Sequence, residues 1–199
     1  GSSPGARPEY AAAARQLGEA LARRGIRLVY GGGNVGLMGE VARACVGAGG
    51  EVVGIIPRAL MPREVSGEAE HLGRQVCVET MHERKAMLSD EADAFISLPG
   101  GYGTLEELTE MLTFAQLGIH DKAVSVLNVC GYYDKLLAFF DQAVEEGFVR
   151  QRTRSLLMSD ADVEALLDKL TAYKHDQAGA LLPAASWRAT PKEAKALAR

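Results

Sequence analysis

Leu98-Pro99-Gly100-Gly101-Tyr102-Gly103-Thr104-Leu105-Glu106-Glu107 carries three glycines in four residues and then two carboxylates. Glycine permits left-handed dihedrals and puts no Cβ between the peptide N–H groups and an anion, and a helix starting there adds its positive end. The pattern therefore reads as a phosphate cradle with a carboxylate one turn away. A second glycine-rich turn, Gly31-Gly32-Gly33-Asn34-Val35-Gly36-Leu37-Met38-Gly39, reads as a companion loop for the same region, with Gly32, Gly33, Asn34, Gly36 and Met38 as candidate nucleotide contacts. Met81-His82-Glu83-Arg84-Lys85 crowds four polar side chains into little more than one helical turn, so some of them must face a crevice or a partner.

The elements around these stretches follow from apolar spacing and from glycine and proline punctuation. Helices are predicted over Glu9 to Arg24, Leu37 to Ala48, Met81 to Glu91, Thr104 to Leu117, Tyr133 to Glu146 and Ala161 to Leu170. Strands are predicted over Ile26 to Tyr30, Glu51 to Ile56, Gln75 to Glu79, Asp93 to Leu98, Lys122 to Asn128 and Leu156 to Ser159. In the helix after the central loop, Leu105, Leu108, Leu112 and Ala115 form the buried stripe, with Met111, Phe114 and Leu117 beside it. Arg58 to Arg74, containing Glu64, reads as a long irregular loop of the kind that is usually functional or mobile. Alternation of this kind predicts an α/β, Rossmann-like three-layer fold, a parallel sheet flanked by helices, with ligands beyond the carboxyl ends of the strands. Residues 1–174 are expected to form one domain and residues 175–199 an extended or poorly ordered tail. Gly1 to Gly5 read as a loop that should follow a strand.

With 47% hydrophobic and 24% charged residues the composition is that of an ordinary globular protein, and a net charge of −4 leaves no footprint for nucleic acid or an anionic membrane. No apolar run reaches the roughly 18 to 20 residues of a membrane-spanning helix, and no signal-peptide pattern is present, so the expected location is the cytoplasm. Cys45, Cys77 and Cys130 are odd in number, far apart and set in apolar segments; they read as core residues rather than a disulfide framework or zinc site. Gly31-x-Gly33-x-x-Gly36 matches the dinucleotide fingerprint in letters, but the acid expected at the end of the next strand is replaced by Ile56-Pro57-Arg58, which argues against NAD(P).

Taken in order, the two glycine loops, Met61-Pro62-Arg63-Glu64, Met81 to Lys85, Thr113 to Lys122 and Leu127 to Tyr133 resemble the LONELY GUY family, the cytokinin riboside 5′-monophosphate phosphoribohydrolases once labelled lysine decarboxylase-like. The similarity runs from Gly1 to about Leu170, and in relatives a further strand precedes it. The resemblance implies a nucleotide-binding homodimer that splits adenine-type nucleoside 5′-monophosphates into free base and ribose 5-phosphate. It also implies that Arg84 and Glu107 are the catalytic pair, and that Glu64, Lys85, Gly101, Tyr102, Gly103, Thr104, Leu105, Glu106 and Thr113 belong to the substrate-binding set.

Breaking a ribosyl C1′–N9 bond passes through an oxocarbenium-like state, which calls for a negative group near the sugar, a positioned water and a firm hold on the phosphate. Amides of Gly101 to Thr104 would grip the phosphate, Glu107 would stabilise the cation or activate water, and Arg84 would orient Glu107. No metal-ligand cluster is seen and no lysine sits in a pyridoxal phosphate context, so no cofactor is expected. The rival reading is a non-catalytic nucleotide or molybdenum-cofactor carrier on the same fold, which has no need of the arginine and glutamate together.

Overall fold

Strand and helix alternate along the chain in the computed structural model, which describes residues 3–66 and 72–174; the expected tail from His175 lies outside the described residues. The first half comprises α1 (Pro8–Arg23), β1 (Leu28–Tyr30), α2 (Gly36–Gly47), β2 (Val52–Pro57), α3 (Met61–Glu64) and β3 (Arg74–Val78). The second comprises α4 (Met81–Glu91), β4 (Ala94–Ser97), α5 (Tyr102–Leu117), β5 (Ala123–Leu127), α6 (Asp134–Glu145), α7 (Gln151–Arg154), β6 (Leu157–Asp160) and α8 (Val163–Ala172). Pro8 opens α1 because its missing N–H would be unpaired there anyway, and Gly25, at φ +66, turns the chain away after the helix.

Among the described residues all pairings are parallel, in two three-stranded ladders, β1-β2-β3 and β4-β5-β6. Leu28 faces Val52 and Val53 faces Arg74 in the first; Ala94 faces Ala123 and Val124 faces Leu157 in the second. β1 and β4 each end a ladder, and both line one cavity of about 1080 Å³ that reaches up to the central glycine loop. The central strands β2 and β5 are buried along their whole length, as expected of parallel strands covered on both faces.

A shared core joins the halves. Leu17 and Leu21 of α1, Leu37 and Val41 of α2, and Cys45 pack in one cluster with Leu127, Val163 and Leu166 from the second half. At the crossing of α1 and α2 a Cβ on Gly18 would stand 2.3 Å from the Val41 carbonyl oxygen, so only glycine allows that approach. On the surface Arg24 reaches both Glu164 and Asp168 of α8, the latter at 2.8 Å, and Arg23 reaches Glu164 at 2.7 Å.

Three expectations need correcting. Only Cys45 is buried; Cys77 lies exposed on the outer strand β3, and Cys130 lies exposed in the turn after β5 at φ +53. On α5 the fully buried positions are Leu108, Met111 and Ala115, while Leu105 and Leu112 are half-buried: the stripe is rotated toward Met111, which packs against the second ladder. Within the stretch expected to be irregular after β2, Arg58–Leu60 forms a 3-10 turn and Met61–Glu64 forms α3, which places Glu64 at the end of a short helix.

Candidate active site

The central loop leaves β4 and enters α5 at Tyr102, two residues earlier than the spacing predicts, because Gly101 is the N-cap and Gly103 and Thr104 are already helical. None of Gly100, Gly101 or Gly103 has a positive φ, so the expectation of left-handed dihedrals fails. Space explains them instead. A Cβ on Gly100 would fall 2.1 Å from Thr104 Oγ1, whereas a Cβ on Gly101 or Gly103 would meet nothing within 4 Å. These last two are glycines that neither backbone strain nor packing demands, and both line the cavity. No side chain caps α5, so the first amides of the helix face outward with their donors unused. An anion is the group that such an end attracts.

Two tyrosines hold this loop from beneath. The Tyr133 hydroxyl donates to the Leu98 carbonyl and the Tyr132 hydroxyl to the Gly100 carbonyl, each at 2.6 Å. Burial drives the Tyr133 hydroxyl far above its ordinary range, so it remains a donor at any working pH. Neither tyrosine is among the site residues named from the sequence, although both fall in the Leu127 to Tyr133 stretch that carries part of the family resemblance.

Opposite the loop, α4 aims Arg84 inward. Thr80 accepts from the Glu83 amide at 3.1 Å, and Glu83 Oε2 accepts from the Glu79 amide at 2.9 Å, a variant of the capping box. His82 and Glu83 thereby face solvent, while Arg84 is 6% exposed. Its Nη2 donates to Glu107 Oε1 at 2.9 Å and its Nη1 lies 3.5 Å from Glu64 Oε2. Arg84 Nε and Nη1 and Glu64 Oε2 are buried with no hydrogen-bond partner among the described residues. One guanidinium thus stands between two carboxylates, with donor capacity to spare, on the wall of the cavity.

The first glycine loop plays a different part from the one expected. Gly32, Gly33, Asn34 and Gly36 do not line the cavity; Gly31 and Met38 do. A Cβ on Gly31 would stand 2.9 Å from Arg84 Nη2, and one on Gly33 would stand 2.9 Å from the Glu64 carbonyl oxygen. The Asn34 side chain donates to the Ser66 carbonyl at 2.8 Å and accepts from the Ser66 amide at 2.7 Å, while the Asn34 amide donates to the Glu64 carbonyl at 2.9 Å. The loop makes room for Arg84 and Glu64 and clamps the segment that carries Glu64.

The remaining sequence candidates divide. Lys85 lines the cavity, but its Nζ pairs with Glu106 at 2.5 Å and Glu110 at 3.0 Å, which ties α4 to α5. Tyr102 is 93% exposed at the cavity mouth, and Thr104 lines the wall. Leu105 packs in the core of the second ladder, and Glu106 lies outside the cavity, so neither side chain is brought to the site. Thr113 is also not brought there: it lines a separate, smaller depression with Leu112, Gln116 and Phe140, its hydroxyl bonded to the Thr109 carbonyl at 2.7 Å. Among the described residues no group of three or more His, Cys, Asp or Glu is placed to hold a metal ion.

A family model described as "Possible lysine decarboxylase" matches residues 38–170. An Oryza sativa subsp. japonica protein named "Probable cytokinin riboside 5′-monophosphate phosphoribohydrolase" is 57% identical over 173 residues, covering 87% of this chain and 70% of that protein. An Arabidopsis thaliana protein named as a cytokinin riboside 5′-monophosphate phosphoribohydrolase is 53% identical over 174 residues, covering 87% of this chain and 79% of the relative. The chain belongs to the LONELY GUY (LOG) family. The LOG family match includes α4, the central loop and α5, hence both Arg84 and Glu107. Among solved structures, a molybdenum cofactor carrier protein from Chlamydomonas reinhardtii superposes with a TM-score of 0.62 at 20% identity, over 84% of this chain and 91% of that one. A molybdenum cofactor binding protein from Rippkaea orientalis gives 0.63 at 23% identity, over 84% and 89%. These two share the Rossmann-like fold with this LOG family chain.

Proposed function

We propose that the protein hydrolyses the N-glycosidic bond of cytokinin riboside 5′-monophosphates and AMP-like nucleotides, releasing free base and ribose 5-phosphate. The observation that carries this reading is the pairing of two features on one wall: unused amides behind Gly101 and Gly103, and a carboxylate, Glu107, one turn further along α5 and held by buried Arg84. The amides take the phosphate, and its binding energy orients the sugar toward Glu107. Glu107 then stabilises the developing positive charge at C1′ and accepts a proton from the attacking water. The names of the relatives support the same reaction.

Incubation with AMP, isopentenyladenosine 5′-monophosphate and adenosine, followed by assay for free base, tests this. Base is expected from the monophosphates and little from adenosine; equal kcat/KM for AMP and adenosine would remove the phosphate seat from the account. Gly103→Ala sharpens the test. A methyl there meets nothing within 4 Å among the described residues, and the change favours a helix by about 1 kcal/mol, so the melting temperature holds or rises while kcat/KM for AMP falls.

The carrier reading draws on fold likeness alone, and a carrier has no use for a guanidinium buried between two carboxylates. The chain is proposed to act as a homodimer in the cytoplasm. Phe139 and Phe148 are 60% and 88% exposed, and Phe140 and Leu112 line the apolar depression between α5 and α6, which leaves a face for a second copy to cover. Thr113 lies in that depression and would join a nucleotide site only across such an interface. A light-scattering mass of 21.2 kDa, that of one chain, at micromolar concentration would count against the dimer. Three unpaired cysteines suit a reducing compartment.

A further inference from the structure

We propose that Glu64 is the acid that protonates the departing base, a role that rests on the hydrolytic reading above. The placement of the residue is the starting point. Glu64 ends α3, and its backbone is held by the Asn34 amide and by the pair of hydrogen bonds between the Asn34 side chain and the Ser66 backbone. Gly33 leaves room for it, and its side chain, 15% exposed, points at Arg84 on the cavity wall. That is a large investment of local structure in holding one carboxyl group at one place.

The two carboxylates beside Arg84 are not equivalent. Glu107 is 34% exposed and accepts a 2.9 Å hydrogen bond from Nη2. Glu64 is deeper, and its buried Oε2 stands 3.5 Å from Nη1 with no hydrogen-bond partner among the described residues. A single guanidinium offsets one negative charge, so the trio is short of one positive charge when both carboxyls are ionised. Burial pushes the Glu64 carboxyl up; the Glu107 charge adds to this, and Arg84 and Arg63 oppose it without cancelling it. Of the two carboxyls Glu64 is thereby the one whose protonated form burial favours, and Glu107, more exposed and hydrogen-bonded to the guanidinium, is the one placed to act as the base.

The balance of the step is complete. The C1′–N9 bond breaks and its electron pair passes to the purine; Glu64 gives its proton to a ring nitrogen, so the base leaves neutral. Water adds to C1′ and its proton goes to Glu107. The product is ribose 5-phosphate, and exchange with solvent returns a proton to Glu64 and removes one from Glu107.

The test compares a leaving group that needs a proton with one that does not. Wild type, Glu64→Gln and Glu107→Gln are assayed on AMP and on 4-nitrophenyl ribofuranoside 5-phosphate, whose nitrophenolate departs as a stable anion. Glu64→Gln is expected to lose on the order of a hundredfold in kcat on AMP and less than about threefold on the nitrophenyl substrate, while Glu107→Gln loses on both. The wild-type profile gives a second readout that needs no variant. AMP turnover falls as pH rises and Glu64 gives up its proton, and the nitrophenyl substrate shows no such limb. Equal losses on both substrates in Glu64→Gln, no loss on either, or the same basic limb on both overturns the proposal while leaving the hydrolytic reading intact. A wild type that releases neither base nor nitrophenolate overturns both.

Discussion

Glu107→Gln is expected to lower turnover of nucleoside monophosphates by about a hundredfold or more while nucleotide affinity holds or improves. The amide is isosteric with the carboxylate, and its oxygen can still accept from Arg84 Nη2, which the intact residue does at 2.9 Å. What disappears is the negative charge that the oxocarbenium-like state needs, and loss of one preorganised electrostatic group costs roughly 100- to 1,000-fold. A bound phosphate gains from that loss of charge. Calorimetric affinity and base release measured on the same preparation decide the matter, and a Gln variant that turns over at the wild-type rate removes Glu107 from the mechanism.

Arg84→Ala is expected to damage binding, turnover and stability together. Removing one member of a buried ion pair costs on the order of 3 kcal/mol, because the charge left behind is uncompensated. Here it leaves Glu64 and Glu107 facing each other. The Glu64 carboxyl is already raised from its ordinary 4.5 by burial, and Arg84 is the leading cause that pulls it back. A carboxyl raised in the folded chain keeps its proton where the unfolded chain has lost it, so the stability it supports is present at acid pH and disappears as pH rises through the folded value. The melting-temperature deficit of Arg84→Ala should therefore be smallest on the acid side and grow toward neutrality. Arg84→Lys should recover part of the stability but little turnover, since an ammonium cannot present two donors in a plane to two carboxylates. A deficit that does not change with pH would show that Arg84 acts through packing alone.

Particular residues show which parts of this arrangement were legible. The passage from β4 through Pro99 and the glycines into α5 could be read because proline and glycine punctuate so strongly, and Met81–Glu91 was read to the residue. The first glycine loop reads as a nucleotide contact in the sequence, where glycines that admit a phosphate and glycines that admit a guanidinium spell alike; the close approach of Arg84 to Gly31 is what the structure adds. The exposure of Cys77 depends on β3 lying at an edge, and the order of strands within a sheet leaves no mark on apolar periodicity. Thr113 sits on the same helix as Glu107, yet nothing in their spacing reveals that they open on different depressions.

The trio of charged groups spans the two halves of the molecule. Glu64 belongs to the β1-β2-β3 half, Glu107 rides on α5 beside the other ladder, and Arg84 sits on α4, the helix that links them. The guanidinium is therefore a rivet as well as a reagent: any change in the angle between the half-sheets alters its grip on one carboxyl or the other. On the surface α1 and α8 are stitched by Arg23 and Arg24 to Glu164 and Asp168, pairs that lie open to solvent and that salt weakens. The buried rivet is shielded from salt and the outer stitch is not, so ionic strength acts first on the seam between α1 and α8, whose Leu17, Leu21, Leu167 and Leu170 line the same cavity as Arg84.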